Sequence, residues 1–345
     1  MDPITRSQLG FRMKRSNESQ GTGRRRRLIA AVRCFSIAML AATPIFAQIT
    51  PEQRLAEAYK LEREGKAAMA IPQLNSLLDS KSLDSADAGK AWDVLGLSYE
   101  DQGDFRDSTR AFEQSIQAYE TVPNDTRDYA IALDDFGGLY VNTGQVDLAV
   151  KMMERALRLH QANQDHAGVA RSCSDLAGAL FSQKKLHEGR KYLDRALKES
   201  RLTSELADDD LATLASLQGW LAQSEGDLPS SVSKYQQSLD LLRKYYGEEH
   251  ASTGWGYVLL GKVHAENGDL SGSLTEMDKG LAILGGTLSS QDPRLLSAEI
   301  ACSRVLDMAG KRSEAQMMRA KAEGQLSSFR NRNCLDCTVS AKAFQ

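Results

Sequence analysis

Seven times along this chain, at intervals of 38 to 42 residues, one frame of small residues returns. With units beginning at Pro51, Gly89, Ala130, Ala170, Ala212, Gly254 and Leu296, the eighth residue is in turn Ala58, Gly96, Gly137, Ala177, Gly219, Gly261 and Ser303. The twentieth is Ala70, Ser108, Ala149, Gly189, Ser231, Ser273 and Ala315, and the fifteenth is Gly65, Gly103, Gly144, Lys184, Gly226, Gly268 and Gly310. A period of this length marks a stacked array, in which each unit buries its apolar face only against its neighbours. Within a unit the columns predict a helical hairpin. A first helix ends at a glycine that accepts the left-handed backbone, and a second helix follows. Small residues at positions eight and twenty let the two helices cross closely, while position twenty-four carries the bulk, as Leu74, Phe112, Met153, Leu193, Tyr235 and Met277. Arg319 takes that place in the last unit, which predicts a terminal repeat with a polar face turned to water. The length of 345 residues alone would suggest two domains, but the repeat predicts one continuous core about two helices thick.

The set Trp92, Leu95, Gly96, Tyr99, Ser108, Phe112 and Ser115, echoed by Phe136, Gly137, Tyr140, Gly144, Ala149 and Met153, resembles the motif of the tetratricopeptide repeat (TPR) family. The resemblance covers Pro51 to about Ala322, weakest in the fourth unit, with Lys184 for glycine, and in the seventh. It implies an all-α, right-handed superhelix of about seven helix-turn-helix repeats. The long intervals and the Tyr246-Gly247-Glu248-Glu249-His250 linker look like the kinesin-light-chain-like branch of the family. What that branch implies is peptide or protein binding, not motor association as such.

The resemblance also implies where a ligand would lie, because positions two, five, nine, twelve and thirteen of the first helix face the groove in that family. In the N-terminal half these are largely acidic: Asp93, Glu100, Asp101 and Asp134, with Asp175 one position off the stripe. The Lys, Arg and Asn clamp with which other TPR proteins grip a C-terminal carboxylate is absent, which argues against a chaperone-tail ligand. In the C-terminal half the stripe carries Trp220 and Trp255, expected to lie close together with Phe181 on the preceding repeat and Lys262 and Arg304 on the following ones. Aromatic and arginine anchors of this kind dominate interfaces. A solvated acidic face and tryptophans buried between repeats are the plainer alternatives. Trp92, at position four, is explained by packing between helices.

The first 47 residues are of another kind. Arg24 to Arg27 form a basic block, an apolar run of about 13 residues follows from Cys34 to Phe46, and Ile45 and Ala47 hold the usual positions before a cleavage site. This order is that of a secretory signal, and the run is short of the ~20 residues a membrane helix needs. The expected organisation is therefore a signal at 1–47 cut after Ala47, seven repeats at 48–322 and a tail at 323–345, with the protein periplasmic or secreted and without a stable membrane span. Met13 as the true start would shorten the long basic region, and a basic tail on a cytoplasmic protein is the alternative. Of 43 Lys/Arg and 46 Asp/Glu, the first 47 residues hold nine and two, leaving 34 and 44 and a net charge near −10. An excess of acid argues against a nucleic-acid partner.

Nothing in the sequence announces catalysis or a cofactor. No G-x-S-x-G, Walker loop, H-E-x-x-H or G-x-G-x-x-G occurs. The five histidines His160, His166, His187, His250 and His264 are scattered, and His264 reads as a satisfied core residue. Asp208-Asp209-Asp210 precedes the helix of unit five and reads as capping and dipole compensation, and the pair Asp134-Asp135 remains. Cys173 and Cys302 read as small buried hydrophobes. Cys334 and Cys337, spaced C-x-x-C in the tail, leave open a local disulfide, free thiols, pairing with another chain, or a redox centre. A metal site would need further ligands that are not nearby. Three function classes remain: a non-enzymatic TPR adaptor or scaffold outside the cytoplasm, a cytoplasmic regulatory TPR protein, and a redox- or metal-linked protein using the C-x-x-C. Partner and oligomeric state are not encoded in the pattern.

Overall fold

The computed structural model describes residues 50–122 and 126–333, so the expected signal segment and the Cys334/Cys337 pair lie outside the described residues. Fourteen helices make seven hairpins, and no strand occurs among the described residues. They are α1 (Pro51–Arg63) with α2 (Ala67–Asp79), α3 (Ser85–Asp101) with α4 (Phe105–Glu120), α5 (Thr126–Asn142) with α6 (Val146–Ala162), and α7 (His166–Ser182) with α8 (Leu186–Glu199). The series continues with α9 (Asp208–Ser224) and α10 (Leu228–Tyr246), α11 (Ala251–Glu266) and α12 (Leu270–Thr287), and α13 (Pro293–Met308) and α14 (Arg312–Asn333). From α3 on, the first helix of each pair starts three or four residues before the unit starts of the sequence frame, because its N-terminal turn lies outside the repeating columns. Helix α14 runs through to Asn333, past the boundary expected at 322.

The columns have the physical meanings their residues suggest. All six glycines at position fifteen have left-handed backbones, with φ from 69° to 90°, and Lys184 adopts the same conformation at 62°. In three repeats an aspartate follows that glycine, and Asp104, Asp227 and Asp269 each accept a backbone N–H at the start of the second helix. At position eight a Cβ on Gly96 would lie 2.9 Å from the Phe112 ring. Position twenty is more than small. Ser108, Ser231 and Ser273 donate their hydroxyls to the carbonyls of Gly96, Gly219 and Gly261 at 2.7 to 2.8 Å, so buried bonds pin the crossing. Arg319 does not turn to water; its guanidinium folds back onto Ser303 and Asp307.

First helices of successive repeats touch one another, α1 on α3, α3 on α5, α5 on α7, α7 on α9 and α11 on α13, whereas second helices pack principally on first helices. The first helices therefore run along the shorter, inner radius of the turn. The array also meets its own beginning. Phe329 of α14 packs edge-on against Phe105 of α4 with centroids 5.7 Å apart, both 5% exposed. Arg294 of α13 donates to the side chain of Asp101 at 3.0 Å and to its backbone carbonyl at 3.1 Å, while also gripping the buried Asp292. Arg63 bonds the Tyr245 hydroxyl and lies over its ring, and His250, stacked on Tyr246, sits against Gly65. Repeats five to seven thus close against repeats one and two.

Candidate ligand-binding surface

Closure turns the inner wall into a partly enclosed surface, and three cavities among the described residues bear on ligand binding. The first, about 380 Å³, lies between α9, α10, α11 and the start of α13, with Trp255, Leu217, Leu242 and Leu259 as apolar wall and Asp209, Asp210, Tyr246 and Arg294 as polar edge. A second, about 210 Å³, sits at the seam between Glu62, Glu100, Asp101, Phe105 and Arg294. The third, about 320 Å³, is bounded by α1, α3 and α5.

The wall between them is acidic and desolvated. Burial pushes Glu62 up to about 8, with Asp101 and Asp135 adding same-sign repulsion. Burial likewise raises Glu100 to about 7 and Asp135 to about 6, although Glu100 accepts a bond from Asn142. Asp93, Asp134 and Asp175 are all driven well above the carboxylate range, again chiefly by burial. Arg171, the cation that acts on Asp134, Asp135 and Asp175, is already committed, since its Nε bonds both oxygens of Asp210 at 3.0 and 3.1 Å. Carboxyls that cannot find a cation in a dry site keep their protons.

The side chains expected to face a ligand divide into groups. Asp101 is spent on Arg294, and Glu100 on Asn142. Asp134 accepts from Ser172 at 2.6 Å, with the His160 ring 3.5 Å away. Asp93, 8% exposed, has no hydrogen-bond partner on its Oδ1, and the Asp135 carboxyl across from it adds same-sign repulsion. In the C-terminal half Trp220 stacks on Phe181 with centroids 4.6 Å apart, and Phe181 is 3% exposed. That corrects the placement of Phe181 on a groove: its ring belongs to the core and serves as the bed for Trp220. Trp220 packs against the clusters on either side of repeat five, whereas Trp255 packs on the cluster of repeats six and seven, and no ring contact joins the two among the described residues. Lys262 is half-buried, its ammonium shifted down by burial, near Glu266 and the exposed Arg304.

A polar chain went unseen in the sequence. His160, 1% exposed, bonds Asp165 through Nδ1 at 3.0 Å and faces Asp134 through Nε2, and Asp134 holds Ser172. The order is Asp–His–Asp–Ser: the hydroxyl donates to a carboxylate rather than to the imidazole, and Ser172 is 0% exposed. This chain ties α5, α6 and α7 together and offers no nucleophile to solvent. A Cβ on Gly168 would lie 2.0 Å from His160, so this glycine is the one local signal that a ring fills the site. His264, expected to be satisfied in the core, is half-buried with no partner for Nδ1. The aspartates of 208–210 do more than cap, reaching Lys244, the Tyr246 hydroxyl and Arg171 respectively. Cys173 and Cys302 are buried free thiols, pushed up to about 12 and about 11 by desolvation. No cluster of metal-ligating side chains and no helix long and apolar enough to cross a membrane occurs among the described residues.

Two family profiles described as tetratricopeptide repeat match residues 87–162 and 169–203. The chain is a tetratricopeptide-repeat protein. Among solved structures this TPR protein is similar to a Rap protein complexed with competence and sporulation factor, at 15% identity and a TM-score of 0.54, over 85% of this chain and 95% of that one. It is similar also to the Rap conjugation gene regulator of plasmid pLS20 in complex with the Phr* peptide, at 10% identity and a TM-score of 0.54, over 81% and 96% of the two chains. The Cut9–Hcn1 hetero-tetramer of APC/C matches at 16% identity and a TM-score of 0.56, over 82% of this chain but 48% of that one. At these identities the likeness is one of fold. No curated protein matches the chain in sequence.

Proposed function

We propose that this TPR protein is a non-catalytic adaptor that holds a protein or peptide against its inner wall, and that it works outside the cytoplasm. The observation that carries the binding reading is the 380 Å³ cavity on the inner radius, where Trp255 and leucines form an apolar wall beside Asp209, Asp210 and Arg294. Such a mixture of one aromatic anchor and a few convergent polar groups suits a side chain delivered by a partner. Two Rap structures of the same fold contain a competence and sporulation factor and a Phr* peptide respectively, which supports a polypeptide ligand here. In the buried Ser172–Asp134–His160–Asp165 chain the hydroxyl donates to a carboxyl rather than to the imidazole, which supports a structural role over hydrolysis. The location rests on the basic block, apolar run and Ala47 of the first 47 residues; a mature N-terminus at Gln48 in an envelope or secreted fraction is its test. A net charge near −10 beyond Ala47 disfavours a nucleic-acid partner.

The binding reading is tested by capture from an envelope fraction with wild type and Trp255→Ala, followed by mass spectrometry and titration of the partner found. The expected result is a partner retained by wild type and bound at least thirtyfold more weakly by the variant, about 2 kcal/mol, with little change in melting temperature. A variant that binds normally removes Trp255 from the site. Trp220→Ala is expected to lower the melting temperature as well, because Trp220 is stacked on the core ring of Phe181.

A further inference from the structure

The third cavity lies at the N-terminal end of the inner wall and has a composition the other two lack. Leu55, Ala56, Val94 and Ile131 line it from three successive first helices, and Tyr59, 47% exposed, stands at its mouth. The polar members are Glu52, Asp87, Asp93 and Asp128 against one cation, Lys90, which is held by Asp128 at 2.7 Å. The cavity therefore combines an apolar channel about 320 Å³ in volume with a surplus of negative charge. Within it, Asp93 is more than nine-tenths buried and its Oδ1 faces no donor. An isolated buried carboxyl oxygen is expensive to maintain. The Asp135 carboxyl on α5 adds same-sign repulsion rather than a counter-charge.

We propose that this cavity receives a lysine side chain of a polypeptide ligand, with the alkyl stem along Leu55, Ala56, Val94 and Ile131 and the ammonium drawn to the Asp93 carboxyl. Lysine buries its stem along apolar surface while its head seeks an acceptor. A point-like ammonium suits one unpartnered oxygen, whereas the guanidinium fork of arginine asks for two in a plane. On binding, the ammonium supplies a counter-charge for Asp93, and a proton held on that carboxyl leaves to solvent. The inference rests on the adaptor reading in one respect: the lysine belongs to a chain lying along the same inner wall.

The test uses acetyl-Ala-Lys-Ala-amide, its norleucine counterpart and spermidine, each titrated into the full chain while backbone amide shifts of Tyr59, Asp93 and Val94 are followed. The expected result is saturable shifts with the lysine peptide, none with norleucine, and weaker binding of spermidine. Asp93→Asn, nearly isosteric with a protonated aspartate, is expected to weaken the lysine peptide at least tenfold. Ala56→Phe, an exposed helix position lining the cavity, is expected to abolish its binding by filling the space. The proposal is overturned by absent shifts, by equal binding of the norleucine peptide, by tighter binding of spermidine, or by unchanged affinity in both variants. If the lysine titration fails while Trp255-dependent capture of a partner succeeds, only the cavity assignment falls. The reverse pattern sustains the cavity and removes the adaptor reading.

Discussion

Lys184 stands where the other six repeats have glycine, and its backbone is left-handed all the same, with φ of 62°. A Cβ there costs about 1 kcal/mol or more, so Lys184→Gly is expected to raise stability by about 1 kcal/mol in chemical denaturation, and a loss of stability would contradict that account. This column was legible in the sequence because only one residue type meets its backbone demand cheaply. The serines at position twenty were legible only as small residues; their bonds to Gly96, Gly219 and Gly261 depend on where a carbonyl points, which no spacing reveals. The same holds for the acidic stripe. Asp93, Glu100, Asp101 and Asp134 look alike in the sequence, yet Arg294 takes Asp101, Asn142 takes Glu100 and Ser172 takes Asp134, so that Asp93 alone of the four is left without a donor.

At the scale of helices, the repeat frame found the seven hairpins because hydrophobic and small positions recur along each one. It missed the extra N-terminal turn of the first helices and the extension of α14, since these are made of residues that do not repeat. The seam was invisible for a simpler reason: Arg294 and Asp101 are 193 residues apart and belong to no shared column. Arg294→Ala leaves Asp292, 3% exposed, without its cation, and is expected to destabilise the fold by about 3 kcal/mol. Phe329→Ala empties the space against Phe105 and is expected to cost about as much. In both variants the loss should be accompanied by faster hydrogen exchange in α4 and α14, while α7 and α8 stay protected. Exchange that accelerates evenly along all repeats would mean that the seam is not a local joint.

For the molecule as a whole, the buried acids set how stability responds to pH. Glu62 at about 8, Glu100 at about 7 and Asp135 at about 6 hold their protons more tightly folded than unfolded, where the corresponding values are near 4.5 for Glu and 3.8 for Asp. Across that window the folded chain binds more protons than the unfolded one, so stability falls as pH rises. Glu248 acts in the opposite sense at lower pH: Lys279, Tyr257 and Arg243 hold it down to about 2, and its contribution fades as pH drops below 4.5. The melting temperature is therefore expected to be higher at pH 5 than at pH 8. A rise between those values would contradict the burial of these carboxyls.

The claim that the inner radius is the binding face is tested most directly by site-specific photo-crosslinking. A benzophenone side chain is placed at Ser216, on α9 in the wall of the 380 Å³ cavity, and separately at Glu188, exposed on the second helix of repeat four. The account predicts that the Ser216 probe joins the protein to a polypeptide partner in an envelope fraction, that Trp255→Ala abolishes the product, and that the Glu188 probe yields none. Crosslinks formed from Glu188 but not from Ser216 would place the partner on the outer face and contradict the account.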